Sequence, residues 1–303
     1  MLKKIILGLL GLVVLVAAGA GGWVFMQVSA FDSSLQKKYD VPLPTITLST
    51  DPAVLERGKH IAESFGGCIA CHGANLGGGK KEDMGPLGEI TYANITTGKD
   101  GKGAEYSDAE LLRLLRHGLR KDGTTVRFMP VPDMYWWPDE DMVALISWVR
   151  QQPPVDGQPA VMKPSAMMKV LDRLDNIPVD IARRIDHSKP IAKATIPATP
   201  TKEYGEFLAN ACKGCHGTGL SGGPIPGAPP SMPVPLNLTR HETGLAAYTI
   251  DDFKTVLRTG KRKNGKMLDP FMPIEMTRNY TDLETEALFA YLQSVPPTTF
   301  GKR

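Results

Sequence analysis

Cysteine is nearly absent from this chain, with four residues in 303. Four could form two disulfides, as exported proteins often do, but here they fall into two tight pairs, Cys68/Cys71 and Cys212/Cys215, 144 residues apart. Cysteines so close in sequence rarely bridge each other outside redox sites. Charge of one sign is lacking too. The formal net charge is +3, so nothing points to nucleic acid or an acidic polymer as a partner. Alternating apolar and polar runs are missing as well, so no strand is expected and the fold class is read as all-α.

What is present begins with length and punctuation. The 303 residues suffice for two domains of about 100 to 150 residues. The 31 glycines and 25 prolines fall mostly between short periodic runs, which predicts compact domains with much loop. Lys3 and Lys4 precede 22 uncharged residues, Ile5 to Met26. At about 1.5 Å rise per residue that run can cross a hydrocarbon layer of about 30 Å. Its length favours an uncleaved anchor over a signal peptide, although the small residues of Val28-Ser29-Ala30 offer a cleavage site. The two lysines place residues 31 onward on the outer side of a bacterial inner membrane, the periplasmic side.

Each cysteine pair is followed at once by a histidine, as Cys68-Ile-Ala-Cys71-His72 and Cys212-Lys-Gly-Cys215-His216. Three chemistries use such spacing. A thioredoxin-like redox pair needs flanking hydrophobic strands, which are missing. Zinc needs a cysteine and an adjacent histidine to reach one tetrahedral ion, which adjacency hinders. The third is covalent haem attachment, with two thioethers to the porphyrin and the histidine as axial iron ligand. Two copies that together use every cysteine favour haem, so two covalently attached haems are expected.

The stretches after the pentapeptides repeat in order. Tyr92–Gly98 aligns with Leu236–Gly244, with Asn94 and Asn237 lying 26 and 25 residues past the first cysteine. Leu111–Gly118 aligns with Phe253–Gly260, Phe128–Pro132 with Phe271–Glu275, and Asp139–Val155 with Asp282–Thr298. These features resemble the cytochrome c family, specifically membrane-associated dihaem cytochromes with tandem class-I-like domains. The resemblance implies two small helical bundles, each around a covalent haem. It also implies a methionine as sixth iron ligand. Met129 and Met272 lie 61 and 60 residues past the first cysteine of their repeat, each within Phe-Met-Pro. A thioether favours ferrous iron and raises the reduction potential. Met134, Met267 and Met276 are the competitors, among 13 methionines.

The expected organisation is an anchor or signal over 1–30, a polar tether over 31–50, a first cytochrome domain over 51–156, an interdomain segment over 157–200 and a second domain over 201–303. Trp148 and Tyr291 are expected where the first and last helices of each domain cross. Asn94 and Asn237 lie near the haem propionates by family resemblance, or simply make Asx-turns. His60, His117, His187 and His241 have no histidine in the opposite repeat and are read as surface or capping residues. The Tyr135-Trp136-Trp137 run is read as packing over the haem edge, the alternative being a docking or membrane-interface surface. The function expected is electron transfer without catalysis, between a dehydrogenase or quinol-oxidising partner and a downstream acceptor. The alternative is a dihaem peroxidase with one open iron, against which the paired methionines argue.

Overall fold

The computed structural model describes residues 2–188, 192, 194–228 and 232–303. Helix α1 spans Leu2–Ser34. The first domain holds α2 (Pro52–Glu63), the single turn α3 (Cys68–His72), α4 (Asp108–His117), α5 (Val131–Met134) and α6 (Asp139–Arg150). A short helix α7 (Ala166–Arg173) follows. The second domain holds α8 (Lys202–His216), α9 (Ile250–Thr259), α10 (Ile274–Thr277) and α11 (Asp282–Ser294).

The helices start where the sequence supplies caps. Ser107 with Glu110, Thr249 with Asp252 and Thr281 with Glu284 form reciprocal capping boxes at α4, α9 and α11. In each domain the first and last helices cross at a glycine. A Cβ on Gly58 would collide with the Ala144 carbonyl, and one on Gly205 with that of Ala287. Trp148 and Tyr291 flank these crossings, as expected. The domains then diverge. Cys212 lies seven residues after Gly205, and α8 runs unbroken through the pentapeptide, whereas Cys68 lies ten after Gly58. The extra residues break the helix at Ser64, and Gly67 turns the chain with φ +62° before α3 begins.

The chain is mostly helical, but the expectation of no strands needs correcting. Lys81–Asp83 (β1), Gly88–Thr91 (β2) and Val161–Pro164 (β3) form an antiparallel sheet in the order β1-β2-β3, with Ile90 opposite Met162. Strands of three or four residues show no period of their own, and the β2-β3 pairing joins segments some 70 residues apart. The interdomain segment is therefore anchored on the first domain. The proline-containing stretch from 189 to 200 lies partly outside the described residues.

Residues 31–50 are not a free tether either. Phe31 and Leu35 are buried in a cluster with Leu87, Met168 and Val179. The Tyr39 N–H donates to Gly123 O (3.0 Å), Arg113 donates to Val41 O, and Ile46 and Leu48 pack on the main core.

The two domains share one core cluster, and their seam is reciprocal. The first helix of each meets the segment leading into the other's last helix. Phe207 of α8 meets Trp136 edge-on at 5.4 Å, while Asn279 Nδ2 donates to Glu63 O of α2 (2.7 Å). The broken helix fills the middle. Phe65 packs edge-on against Phe207 (5.5 Å) and Trp137 (5.3 Å), and Met276 rests on Gly67. At its polar edge, buried Glu284 faces His60 Nε2 at 2.8 Å and accepts from Tyr204 Oη at 3.0 Å. Trp136 and Trp137 thus line the domain seam. His60 is a seam residue, not a surface one.

Candidate functional site

Each pentapeptide occupies one helical turn, so its two cysteines and its histidine come together by local geometry alone. The four thiols are free of disulfides. Burial pushes the Cys68 and Cys212 thiols up to about 12 and also raises Cys71 and Cys215. A dithiol redox site requires the opposite shift, a thiol depressed toward thiolate. The shifts therefore favour neutral thiols at all four positions.

The histidines are held alike. His72 Nδ1 lies 2.7 Å from Ala93 O, and His216 Nδ1 lies 2.7 Å from Leu236 O. A carbonyl only accepts, so Nδ1 carries the proton and Nε2 keeps its lone pair. Burial lowers both imidazoles, outweighing the carbonyl contact that would raise them, and so favours the neutral form. A neutral ring, oriented by one nitrogen and basic at the other, is what an iron ligand requires.

The carbonyls that orient these rings are set by the next residue. Asn94 and Asn237 are buried, and their Oδ1 atoms accept from the backbone N–H groups of Thr96 and Thr239, both at 2.9 Å. Their Nδ2 atoms donate to Val155 O (2.6 Å) and Thr298 O (2.8 Å), just beyond the last helix of each domain. The matched asparagines thus make Asx-turns that clip the loop carrying Ala93 or Leu236 to the end of the domain. In the second domain Arg303 also donates to Cys215 O (2.7 Å) and Gly223 O (2.7 Å).

Met129 and Met272 both stand at the end of a small hairpin after the second long helix of the domain, α4 or α9. Val126 N–H donates to Gly118 O in one hairpin, and Leu268 N–H to Gly260 O in the other, both at 2.7 Å. Both methionines are half-buried. The competitors are otherwise engaged: Met134 is buried in the core, Met276 packs on Gly67 of the other domain, and Met267 is exposed. His117 Nδ1 lies 3.1 Å from His187 Nδ1 at the end of α4, remote in sequence from both pentapeptides.

Sequence reasoning missed two contributions. Asp133 of the first domain acts on Cys215 of the second, whose thiol is raised chiefly by burial, and burial lifts the Asp133 carboxyl to about 6. The Arg57, His60, Tyr204 and Glu284 group at the seam was missed as well. Only pairing the repeats across the seam would have revealed either.

The sequence pattern of the cytochrome c family matches residues 55–153 and 204–296. The chain is 29% identical over 279 residues to the cytochrome c subunit of an alcohol dehydrogenase (quinone) from Gluconacetobacter polyoxogenes, covering 83% of this chain and 58% of that protein. It is 27% identical over 279 residues to the corresponding subunit from Gluconobacter oxydans (strain 621H), covering 83% and 57%. It is 35% identical over 100 residues to a gluconate 2-dehydrogenase cytochrome c subunit from Pantoea cypripedii, covering 32% and 22%. The chain spans a little over half the length of the curated relatives that it matches along most of its own. With both matched stretches carrying a Cys-x-x-Cys-His turn and an oriented histidine, the chain belongs to the cytochrome c family and contains two of its domains.

Proposed function

We propose that this chain is an electron-transfer subunit of a membrane-bound dehydrogenase, carrying two c-type haems and performing no substrate chemistry itself. Cys68 and Cys71 hold one haem through thioethers, and Cys212 and Cys215 the other. His72 and His216 bind iron through Nε2, and Met129 and Met272 supply the sixth ligands. Haem iron provides a one-electron couple, and a His/Met ligand pair sets it at a high potential. The observation that carries this reading is the duplicated clamp on the imidazoles: two histidines 144 residues apart, each with Nδ1 at 2.7 Å from a carbonyl that precedes a buried asparagine.

The chain's own groups have defined tasks here. Ala93 and Leu236 fix ring orientation, so that neither ring must reorganise when the iron changes charge. Phe65, Trp136, Trp137 and Phe207 pack the two domains against each other. Helix α1 is long and apolar enough to cross a membrane and serves as the anchor of the inner membrane, with both domains on its periplasmic side. The electron donor is the dehydrogenase partner or quinol, and the acceptor is a downstream redox protein.

Haem counting tests this. The pyridine haemochrome of the purified chain, with intact-mass analysis, should give two haems, and Cys68→Ser/Cys71→Ser should give one. Retention of two haems by that variant refutes the assignment of the first site.

A further inference from the structure

The two hairpins that carry the methionines have the same backbone and opposite surfaces. Leu119 pairs with Thr125 in the first, and Lys261 with Met267 in the second. Arg120 N–H donates to Thr124 O as Arg262 N–H donates to Lys266 O, and a positive-φ glycine, Gly123 or Gly265, closes each turn. Position by position, Leu119, Thr124 and Thr125 of the first domain correspond to Lys261, Lys266 and Met267 of the second. The first three are buried, with Thr125 at 1% exposure, whereas Met267 is 64% exposed and the two lysines are exposed.

Other chain segments account for the difference. In the first domain the Ile181 and Ala182 N–H groups both donate to Thr125 Oγ1 at 3.0 Å, and Phe128 N–H donates to Val179 O. Tyr39, from the segment that continues α1, covers Gly123. Among the described residues no segment from outside the second domain hydrogen-bonds to its hairpin. There Phe271, the match of half-buried Phe128, is 45% exposed. The exposed hairpin therefore presents two apolar side chains, Met267 and Phe271, the latter adjacent in sequence to the candidate ligand Met272. It also carries Lys261, Arg262, Lys263 and Lys266, against Asp269 alone within the hairpin. Lys263 is paired with Asp252, but Lys261 and Lys266 have no carboxylate partner among the described residues. Exposed apolar side chains among polar and charged ones suit a transient protein interface.

Resting on the function proposed above, we infer that this face of the second domain is the docking port for a redox protein with an acidic surface. The matching face of the first domain is closed by the protein's own chain. Electrons are exchanged with the soluble partner through the second domain, and the first domain faces the anchor side. Unpaired lysines around the port raise the encounter rate of an acidic partner and orient it, an effect that salt screens.

The test uses the full holoprotein with oxidised flavodoxin, a small acidic redox protein, as the probe. Amide hydrogen exchange should slow on peptides covering 258–272 when flavodoxin is added at low salt, and should not change on 118–128. Kd from flavodoxin NMR shifts should rise about tenfold in Lys261→Glu/Lys266→Glu and rise with added salt in the parent chain. Lys121→Glu, an exposed charge reversal on the closed hairpin, should shift Kd less than twofold. Met267→Ser should weaken binding without altering its salt dependence. Protection centred on 118–128, no protection on 258–272, or an unchanged Kd in Lys261→Glu/Lys266→Glu would overturn the inference. Neither readout uses haem absorbance, so failure here is distinct from a failed haem count.

Discussion

Glu284 ties the two domains together at the polar edge of their seam, and its removal has a calculable cost. Its carboxylate is 3% exposed. It faces His60 Nε2 with both oxygens at 2.8 Å, accepts from Tyr204 Oη at 3.0 Å and from the Thr281 N–H at 2.9 Å, and lies 3.8 Å from Arg57 Nη1. Burial alone would raise its pKa. His60, the Thr281 N–H and Tyr204 outweigh burial and hold it below the ordinary carboxylate value. Breaking a buried pair costs about 3–5 kcal/mol. His60 is 21% exposed and can recover part of its hydration, so Glu284→Ala should cost about 3 kcal/mol, the low end. For a chain of 303 residues that is a fall in Tm of about 5 °C. Glu284→Gln keeps an acceptor for Thr281 and should cost about half as much. Because the folded pKa is depressed, the contribution of Glu284 is complete above its ordinary titration range and disappears as pH falls through the lowered value. The stability gap between the parent chain and Glu284→Gln should therefore be full at neutral pH and close in acid. Scanning calorimetry of the holoprotein measures both. It should also resolve the single transition of the parent into two in Glu284→Ala, as the domains uncouple. A Glu284→Ala protein that melts within 1–2 °C of the parent, roughly the noise of the comparison, or a gap that widens in acid, would refute this account.

Other outcomes follow from particular contacts. Gly205→Ala places a methyl on the Ala287 carbonyl at the helix crossing and should destabilise the second domain by about 1–3 kcal/mol, read by chemical denaturation of the holoprotein. Met129→Ala and Met272→Ala should each remove about half of the charge-transfer absorption of methionine-ligated ferric haem, and a variant that leaves it intact identifies a methionine that is not a ligand. A chain beginning at Asp51 loses Phe31 and Leu35, two buried side chains worth about 1.5–3 kcal/mol each. It should melt earlier and bind more of a hydrophobic dye than a chain beginning at Ser29, and equal melting would show that residues 31–50 are no more than a spacer.

Much of the site was legible in the sequence because its chemistry is local. Cys68, Cys71 and His72 lie within one helical turn, so spacing alone brings them together, and the same holds for Cys212, Cys215 and His216. The duplication exposed Asn94 and Asn237, but only the folded chain shows that they make Asx-turns and that their amides reach Val155 and Thr298. The three short strands escaped notice because β2 is defined by a partner in the interdomain segment, not by a pattern within its own four residues. Trp136 and Trp137 were visibly apolar, but what they touch depends on how the domains face each other.

The number of domains, their helical class, the two pentapeptides with their histidines and an apolar N-terminal helix were all readable from the residues, since each is encoded by periodicity, spacing or composition over a few turns. Tertiary structure alone decided the rest. It placed His60 against Glu284 and Phe65 against Phe207, and it folded residues 31–50 back onto the first domain. It left one methionine hairpin covered and its twin bare. These outcomes depend on contacts between segments far apart in the chain, where two near-identical local motifs acquire different surroundings and hence different roles.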